Sequence, residues 1–417
     1  MIGFRGRQDQ AKKAMAASAA PTQIATAGAI PAAAATMPKV TLVVARSALP
    51  TNPFNNGTPF QVEFELPASL GKLTDTVAEF SMTFSTADAS GCDITVVPSA
   101  FFVNTLEVLV GGQPQEVIES PELFVESAQW CLDNTLALNA AMWNVNPSTG
   151  GLNPAFNLAN AAATASKVWY LPLNGNFFSR MAPYVKGITD KISFRLTLAP
   201  SITSSVYKTG TATPSSCSIQ LTNLRLFCTD EYLGDQGEAA QAQAHQRGVQ
   251  YKSVIHGKFQ TNTFSSIPNT ADLQVQLTSL KHDTAAIVVS VRKNSPAVGD
   301  VLTHYELSSL GLLDDKGNQL YLTLPAKVIE HRGATQVPIS AVMVNNSPSN
   351  NYILGFGRSL QSVLDSGRFV GGLTFTSQES VVLRPVASLT DCKVYAVSYD
   401  YVTVAVQGGK LSLRRAS

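Results

Sequence analysis

The sequence predicts an all-β protein built as two antiparallel sandwiches in tandem. Apolar and polar residues alternate with a period of two along many short segments, as strands with one buried face require. Gly, Pro, Asn and Asp separate these segments, and no regular helical pattern lies between each pair, which argues against a parallel α/β sheet. The chain has 417 residues, more than one hydrophobic core usually supports, so two domains are expected.

Residues 1–40 are expected to form an N-terminal arm and not a domain. The arm is rich in Ala and interrupted by proline, and the short helix that residues 8–20 could form is marginal in water without a surface to pack on. The arm therefore either orders on a partner or remains a solvated tail. Its basic residues, which could meet anionic lipid or nucleic acid, are Arg5, Arg7, Lys12 and Lys13.

The alternation of strands then defines a first domain over residues 41–235. In PFQVEFELP, Phe60, Val62 and Phe64 alternate with polar residues. Near the end of the domain, CSIQLTNLRLFC alternates with an expected irregularity at Asn223. Comparable strand patterns lie in AEFSMTFST, NTLEVLVGGQPQEVIES and KISFRLTLAP.

A change in composition predicts the domain boundary. The segment DEYLGDQGEAAQAQAHQRGVQ has no strand pattern and favours a helix or connector, assigned to residues 236–252. Strand patterns resume over a second domain, residues 253–410. The chain then ends in a basic tail, residues 411–417.

Composition and spacing argue against several functions. The net charge of +1 and the charged content of 14%, against about 25% in ordinary domains, do not suit a protein that neutralises nucleic acid. The five cysteines are odd in number and not spaced as C-x-x-C, so reduced thiols are expected and no disulfide framework or zinc knuckle. We find neither an apolar run long enough to span a bilayer nor a secretory signal.

No catalytic or metal-binding motif is recognisable. The five histidines lack the spacing of a metal site, and phosphate-binding loops and nucleophile elbows are missing. Asp314 and Asp315 could bind calcium, but before Lys-Gly-Asn they are more typical of a solvated hairpin tip. We therefore predict no catalytic residue, no metal ligand and no cofactor.

The segment YLPLNGNFFSRMAPYVKGITDKISFRLTL resembles the late part of the first jelly roll in double jelly-roll major capsid proteins. Four further segments are similar to that family and occur in the same order. They are the segments around the Gly-Gly-Gln hairpin and the connector, LKHDTAAIVVSVRK, and CKVYAVSYDYVTVAVQGGKLSLRRAS. His282 is followed by Asp, where large eukaryotic DNA viruses commonly have His-Pro. With its compact loops the chain looks more like the major capsid proteins of the tectivirus-like bacterial viruses. The positions that carry the resemblance include Tyr170, Pro172, Phe178, Arg180, His282, Tyr395 and Tyr399.

The resemblance implies two tandem eight-stranded antiparallel jelly rolls, with short helices in loops and an N-terminal arm. It implies a non-enzymatic homotrimer, a pseudo-hexagonal capsomer that tiles an icosahedral virion after synthesis in the host cytoplasm. Neighbouring trimers, minor capsid and vertex proteins and an internal lipid membrane are the implied partners, without sequence-specific nucleic acid binding. The residues expected to face the inner side of the shell are Arg5, Arg7, Lys12, Lys13, Lys410, Arg414 and Arg415.

Two other functions remain open from the sequence. A two-sandwich glycan-binding or adhesin-like module would share the fold, as would a β-sandwich hydrolase with convergent carboxylates. The long loop from Ala140 to Ser166 is rich in small residues, and we expect it to serve subunit contact or exterior decoration.

Overall fold

The computed structural model describes a large part of the chain from residue 38 onward. The described residues are 38–50, 53–54, 57–87, 89, 91–94, 102–119, 156–158, 163–199, 207–208, 217–294, 305–329, 343–344, 347–348, 351–356, 369 and 371–416. Residues 1–37, with the four basic residues of the expected arm, lie outside this set, as does most of the loop 140–166.

The described chain consists mainly of β-strands, as the alternation predicts. In the first half they are β1 (Pro38–Val44), β2 (Phe60–Glu65), β3 (Lys72–Thr86), β4 (Cys92–Ile94), β5 (Val103–Val110), β6 (Gln113–Glu119), β7 (Phe156–Leu158), β8 (Thr164–Pro172), β9 (Ile192–Leu198), β10 (Tyr207–Lys208) and β11 (Cys217–Glu231). In the second half they are β12 (Val249–His256), β13 (Gln260–Ile267), β14 (Leu273–Gln276), β15 (Asp283–Lys293), β16 (Leu307–Leu313), β17 (Gln319–Pro325), β18 (Met343–Val344), β19 (Ser347–Pro348), β20 (Asn351–Gly355), β21 (Leu373–Thr374), β22 (Ser380–Pro385), β23 (Leu389–Gln407) and β24 (Lys410–Arg415).

Both halves of the chain have the same strand topology. The first half forms four-stranded sheets in the orders β1-β11-β3-β8 and β2-β9-β5-β6. In the second half, β12 and β13 pair in succession with β23, next to β15 and β20, and the other sheet has the order β14-β22-β16-β17. The short strands β4, β7, β10, β18, β19 and β21 and the terminal β24 lie outside these orders. When the remaining strands are numbered along the chain within each half, with β12 and β13 taken as one strand, the orders are 1-8-3-6 and 2-7-4-5 in both. These antiparallel orders are those of jelly rolls, so the predicted fold is confirmed.

Each pair of facing sheets encloses an apolar core. In the first roll, Phe80 and Phe84 of β3 pack with Val62, Phe64 and the buried residues of β9. The second roll has its own core, to which β15, β16 and β22 contribute. The predicted irregularity at Asn223 is confirmed, because the register of β11 against β3 shifts between Leu221 and Asn223.

Short helices occupy two of the segments between strands. Helix α1 (Phe177–Arg180) and a 3-10 turn (Val185–Gly187) lie between β8 and β9, in agreement with the short helices in loops that the resemblance implies. The Asn176 side chain caps α1 by accepting a hydrogen bond from the Ser179 amide, at 2.9 Å. Helix α2 (Gly234–Arg247) fills most of the predicted connector.

The end of the chain differs from the tail that its basic composition suggested. Residues 410–415 form β24, which pairs with β23. Gly408 and Gly409, with φ angles of 57° and 78°, make the tight turn between the two strands. Leu411 and Leu413 then alternate with polar residues and pack against the first core, which gives this short segment a buried face.

Candidate assembly surfaces

The two jelly rolls are joined by a buried carboxylate. Glu116 of β6 accepts hydrogen bonds from the backbone amide of Phe177, at 2.7 Å, and from the amide of His256, at 2.7 Å. A third contact joins its Oε1 to Nδ1 of His256, at 2.9 Å. Both side chains are fully buried. One carboxylate thus holds together strand β6, helix α1 and the end of β12.

Residues that carry the family resemblance meet at this same join. The guanidinium of Arg180 lies over the ring of Tyr399, 5.6 Å from its centroid, and the His256 ring is 4.7 Å from the same tyrosine. Phe178 is buried in the first core. Segments more than two hundred positions apart in sequence therefore form one contact between the rolls.

Strand β23 belongs to the cores of both rolls. Its first part contributes Val394 and Ala396 to the second core, whereas Val402, Val404 and Val406 are part of the first. A single extended strand thus passes from one core into the other, and its ladder of hydrogen bonds connects the two rolls.

The remaining resemblance positions have separate environments. Tyr170 lies beside Glu79, and burial raises the pKa of its hydroxyl. Pro172 ends β8 and is buried. Tyr395 stacks on Phe259, with ring centroids 6.0 Å apart. His282 lines a cavity together with Lys258, Lys281 and Arg415.

A buried histidine packs helix α2 against the first roll. Nε2 of His245 is 3.1 Å from the hydroxyl of Tyr251. Burial lowers the pKa of this histidine below its usual value of 6.5. The ring lies so close to Gly187 that a Cβ there would be 2.3 Å from Nδ1. The histidine thus has a structural role at the contact between α2 and the 3-10 turn.

Strand β1 presents an apolar stripe to the surface at the edge of its sheet. The β1 stripe consists of Val40, Leu42 and Val44, which share one face and are 62%, 47% and 68% exposed. Strand β17 is also an edge strand, and its Leu322 is 58% exposed. Natural proteins usually cover or charge such edges, so exposed apolar edges are candidates for contact with another chain.

The basic residues expected on the inner side of the shell differ in their surroundings. Lys410 and Arg414 are exposed on β24. Arg415 forms an ion pair with the buried carboxylate of Asp400, at 2.7 Å. Arg5, Arg7, Lys12 and Lys13 lie outside the described residues.

The described residues contain no cluster of three or more His, Cys, Asp or Glu side chains that could hold a metal ion. Asp314 accepts hydrogen bonds from the amides of Lys316 and Asn318, at 2.9 and 2.7 Å, which confirms the hairpin tip. Within the same described ranges, no helix combines the length and the apolar character that crossing a bilayer needs.

Sequence reasoning missed Glu116 and His256. A signal was present, because the alternation of β6 places Glu116 on the same face as the buried Ile118. A charged residue at a core-facing position indicates a buried polar contact. Its partner, 140 positions away, could not be identified from the sequence.

Comparison with known proteins shows similarity in structure and not in sequence. No protein-family model matches the chain, and no similar sequence was found among curated proteins. VP54 of PBCV-1 is similar with a TM-score of 0.60 and 13% identity, over 94% of this chain and 100% of VP54. For the Faustovirus major capsid protein the TM-score is 0.59 and the sequence identity 10%, over 94% of this chain and 92% of that protein. For the mavirus major capsid protein the TM-score is 0.50 and the sequence identity 9%, over 94% of this chain and 92% of that protein.

Proposed function

We propose that this chain, which has the double jelly-roll fold of viral major capsid proteins, is itself a major capsid protein. The observation that carries the proposal is the repeated topology of two rolls that share strand β23. A shell subunit must keep its shape under contacts from several sides, and this construction gives one stiff block. Such a subunit is a structural component of the virion and not an enzyme.

Three copies would form the building block of the shell. Each copy supplies two rolls of the same topology, so a homotrimer presents six similar rolls and has a pseudo-hexagonal outline that fills a plane. The β1 stripe supplies apolar surface for contact between copies within the trimer. The charged content of only 14% suits the many weak contacts between neighbouring trimers.

Further partners follow from the assembly of a closed shell. Minor capsid and vertex proteins would bind where the trimers leave gaps. The exposed Lys410 and Arg414 on β24, together with the basic residues of the arm, would attract anionic lipid at about 1 kcal/mol per residue. We therefore place the protein in the capsid of a membrane-containing icosahedral virus, with bacterial viruses as the first candidates and synthesis in the host cytoplasm.

The mass of the purified chain in solution tests the trimer. Light scattering after size exclusion should give about three times 44.3 kDa and should not change on dilution. Electron microscopy should then show regular particles when the chain is coexpressed with its neighbouring genes. A monomer that forms no particles and binds glycans with measurable affinity would instead favour the glycan-binding module.

A pair of matched variants tests the β1 stripe. Leu42→Lys should reduce the fraction of trimer, because it places a charge within the apolar contact. Val386→Lys is the control, since Val386 is 51% exposed, close to the 47% of Leu42, and lies on the second roll. Equal trimer fractions for the two variants would remove the stripe from the interface without affecting the capsid assignment.

Removal of the arm tests the membrane contact. A chain that lacks residues 1–36 should assemble poorly or lose lipid from its particles. Unchanged assembly and unchanged lipid content would count against a role of Arg5, Arg7, Lys12 and Lys13.

A further inference from the structure

A cationic cavity lies at one end of the second jelly roll. It has a volume of about 470 Å³ and lies where the end of β12, the loop between β14 and β15, β23 and the end of β24 come together. Its charged lining consists of Lys258, Lys281 and Arg415 with a single carboxylate, Asp400. The cavity contains more positive than negative charge.

The carboxylate is already neutralised by its own partners. Oδ2 of Asp400 is 2.7 Å from Nη1 of Arg415, and Oδ1 accepts a hydrogen bond from the Thr284 hydroxyl at 3.0 Å. The Asp400 side chain is only 3% exposed. Asp400 therefore contributes little negative charge to compensate the two lysines. Neither Lys258 nor Lys281 has an ion-pair partner in the described part of the chain.

Uncharged donors complete the lining. Ser279 lines the cavity and its hydroxyl has no hydrogen-bond partner among the described residues, while its amide donates to Oε1 of Gln260 at 3.1 Å. His282 also lines the cavity. Burial, followed by the charge of Arg415, lowers the pKa of His282, so the neutral ring can donate one hydrogen bond near neutral pH.

The backbone fixes the position of one of the lysines. The Gly257 amide donates to the carbonyl of Ser398 at 2.7 Å. A Cβ on Gly257 would lie 2.0 Å from Oγ of Ser398 and 2.7 Å from Oδ2 of Asp400. Only glycine allows this approach, which holds the next residue, Lys258, at the rim of the cavity.

We propose that this cavity binds a phosphate group, either as free phosphate or as the headgroup of an anionic phospholipid. Cations on separate elements, combined with hydroxyl and imidazole donors, suit an anion with oxygens in several directions. A volume of about 470 Å³ accommodates such a group with bound water. The proposal does not depend on the capsid assignment, because binding of free phosphate can be measured on the isolated protein.

Calorimetric titration of the full chain with inorganic phosphate at low ionic strength tests the site. One phosphate per chain should bind, and Lys258→Met and Lys281→Met should each weaken binding about tenfold. Lys316→Met is the matched control, since it removes the same charge from an exposed lysine outside the cavity. It should leave the affinity within about twofold of the wild type.

The outcomes distinguish binding at this cavity from nonspecific electrostatic attraction of phosphate to the protein surface. Equal weakening by all three substitutions, or no saturable binding of phosphate and of vesicles by the wild type, would overturn the proposal. Cosedimentation with vesicles of phosphatidylglycerol and phosphatidylcholine, compared with pure phosphatidylcholine, distinguishes the source of the phosphate. Vesicle binding that falls with Lys258→Met but not with Lys316→Met would identify the lipid headgroup. Binding of inorganic phosphate alone, with the same pattern of variants, would identify the free ion.

Discussion

Replacement of Glu116 should destabilise the protein far more than replacement of an exposed glutamate. Its two carboxylate oxygens accept from the Phe177 amide and from two nitrogens of His256, all within 2.9 Å and buried. Glu116→Ala leaves these donors without acceptors. Glu116→Gln keeps one oxygen for His256 but turns an NH₂ group toward the Phe177 amide, so two donors face each other.

The expected sizes follow from the number of donors left unpaired. Each buried donor without a partner costs about 1–3 kcal/mol, and loss of one partner of a buried charged contact costs about 3–5 kcal/mol in total. We expect about 3–5 kcal/mol for Glu116→Ala and about 1–3 kcal/mol for Glu116→Gln. Glu107→Gln is the control, since its ion pair with Arg195 is partly exposed and should contribute less than about 1 kcal/mol.

Urea unfolding at one fixed protein concentration, followed by circular dichroism and tryptophan fluorescence, measures these differences. Glu116 joins the rolls, so its loss should also separate their unfolding into two transitions. If Glu116→Ala costs no more than Glu107→Gln, the carboxylate does not hold the rolls together. A Glu116→Gln variant as stable as the wild type would show that the contact to Phe177 contributes nothing measurable.

Three further predictions concern individual buried positions. Gly257→Ala should lower the free energy of unfolding by about 1–3 kcal/mol, because its Cβ would overlap Ser398, and an unchanged urea midpoint would contradict this. The lowered pKa of His245 means that its contribution to stability is present above pH 6.5 and is lost as the pH falls through the lower folded pKa. Urea midpoints at pH 7.5 and 5.5 should therefore differ less in His245→Gln than in the wild type, and equal differences would refute the reasoning. Burial raises the pKa of the Cys228 thiol to about 12, so peptide mapping after iodoacetamide at pH 8 should find it labelled only in the unfolded chain, and labelling of the native chain would contradict its burial.

The sequence was most informative where a feature depends on neighbouring residues. Period-two alternation identified the strands, because it states directly which side chains of a strand share a face. Failure of that pattern located α2, and the residues around Asp314 identified a turn that closes on itself. These features are local, so a few consecutive residues contain the information that they need.

The resemblance extended this reading to the order of the strands. Its segments lie in the same sequence order as in double jelly-roll proteins, and the two identical strand orders confirm the fold. The repeat is present in topology but not in sequence, since each roll needs only buried and exposed positions in the right alternation. Many different residues satisfy that requirement.

The tertiary structure alone decided which distant residues meet. Glu116 and His256 are 140 positions apart, and nothing in either segment specifies the other. The passage of β23 through both cores, the pairing of β24 and the cationic cavity depend in the same way on elements brought together from several parts of the chain. Alternation determines the face on which a side chain lies, whereas the packing of whole sheets determines what that side chain contacts.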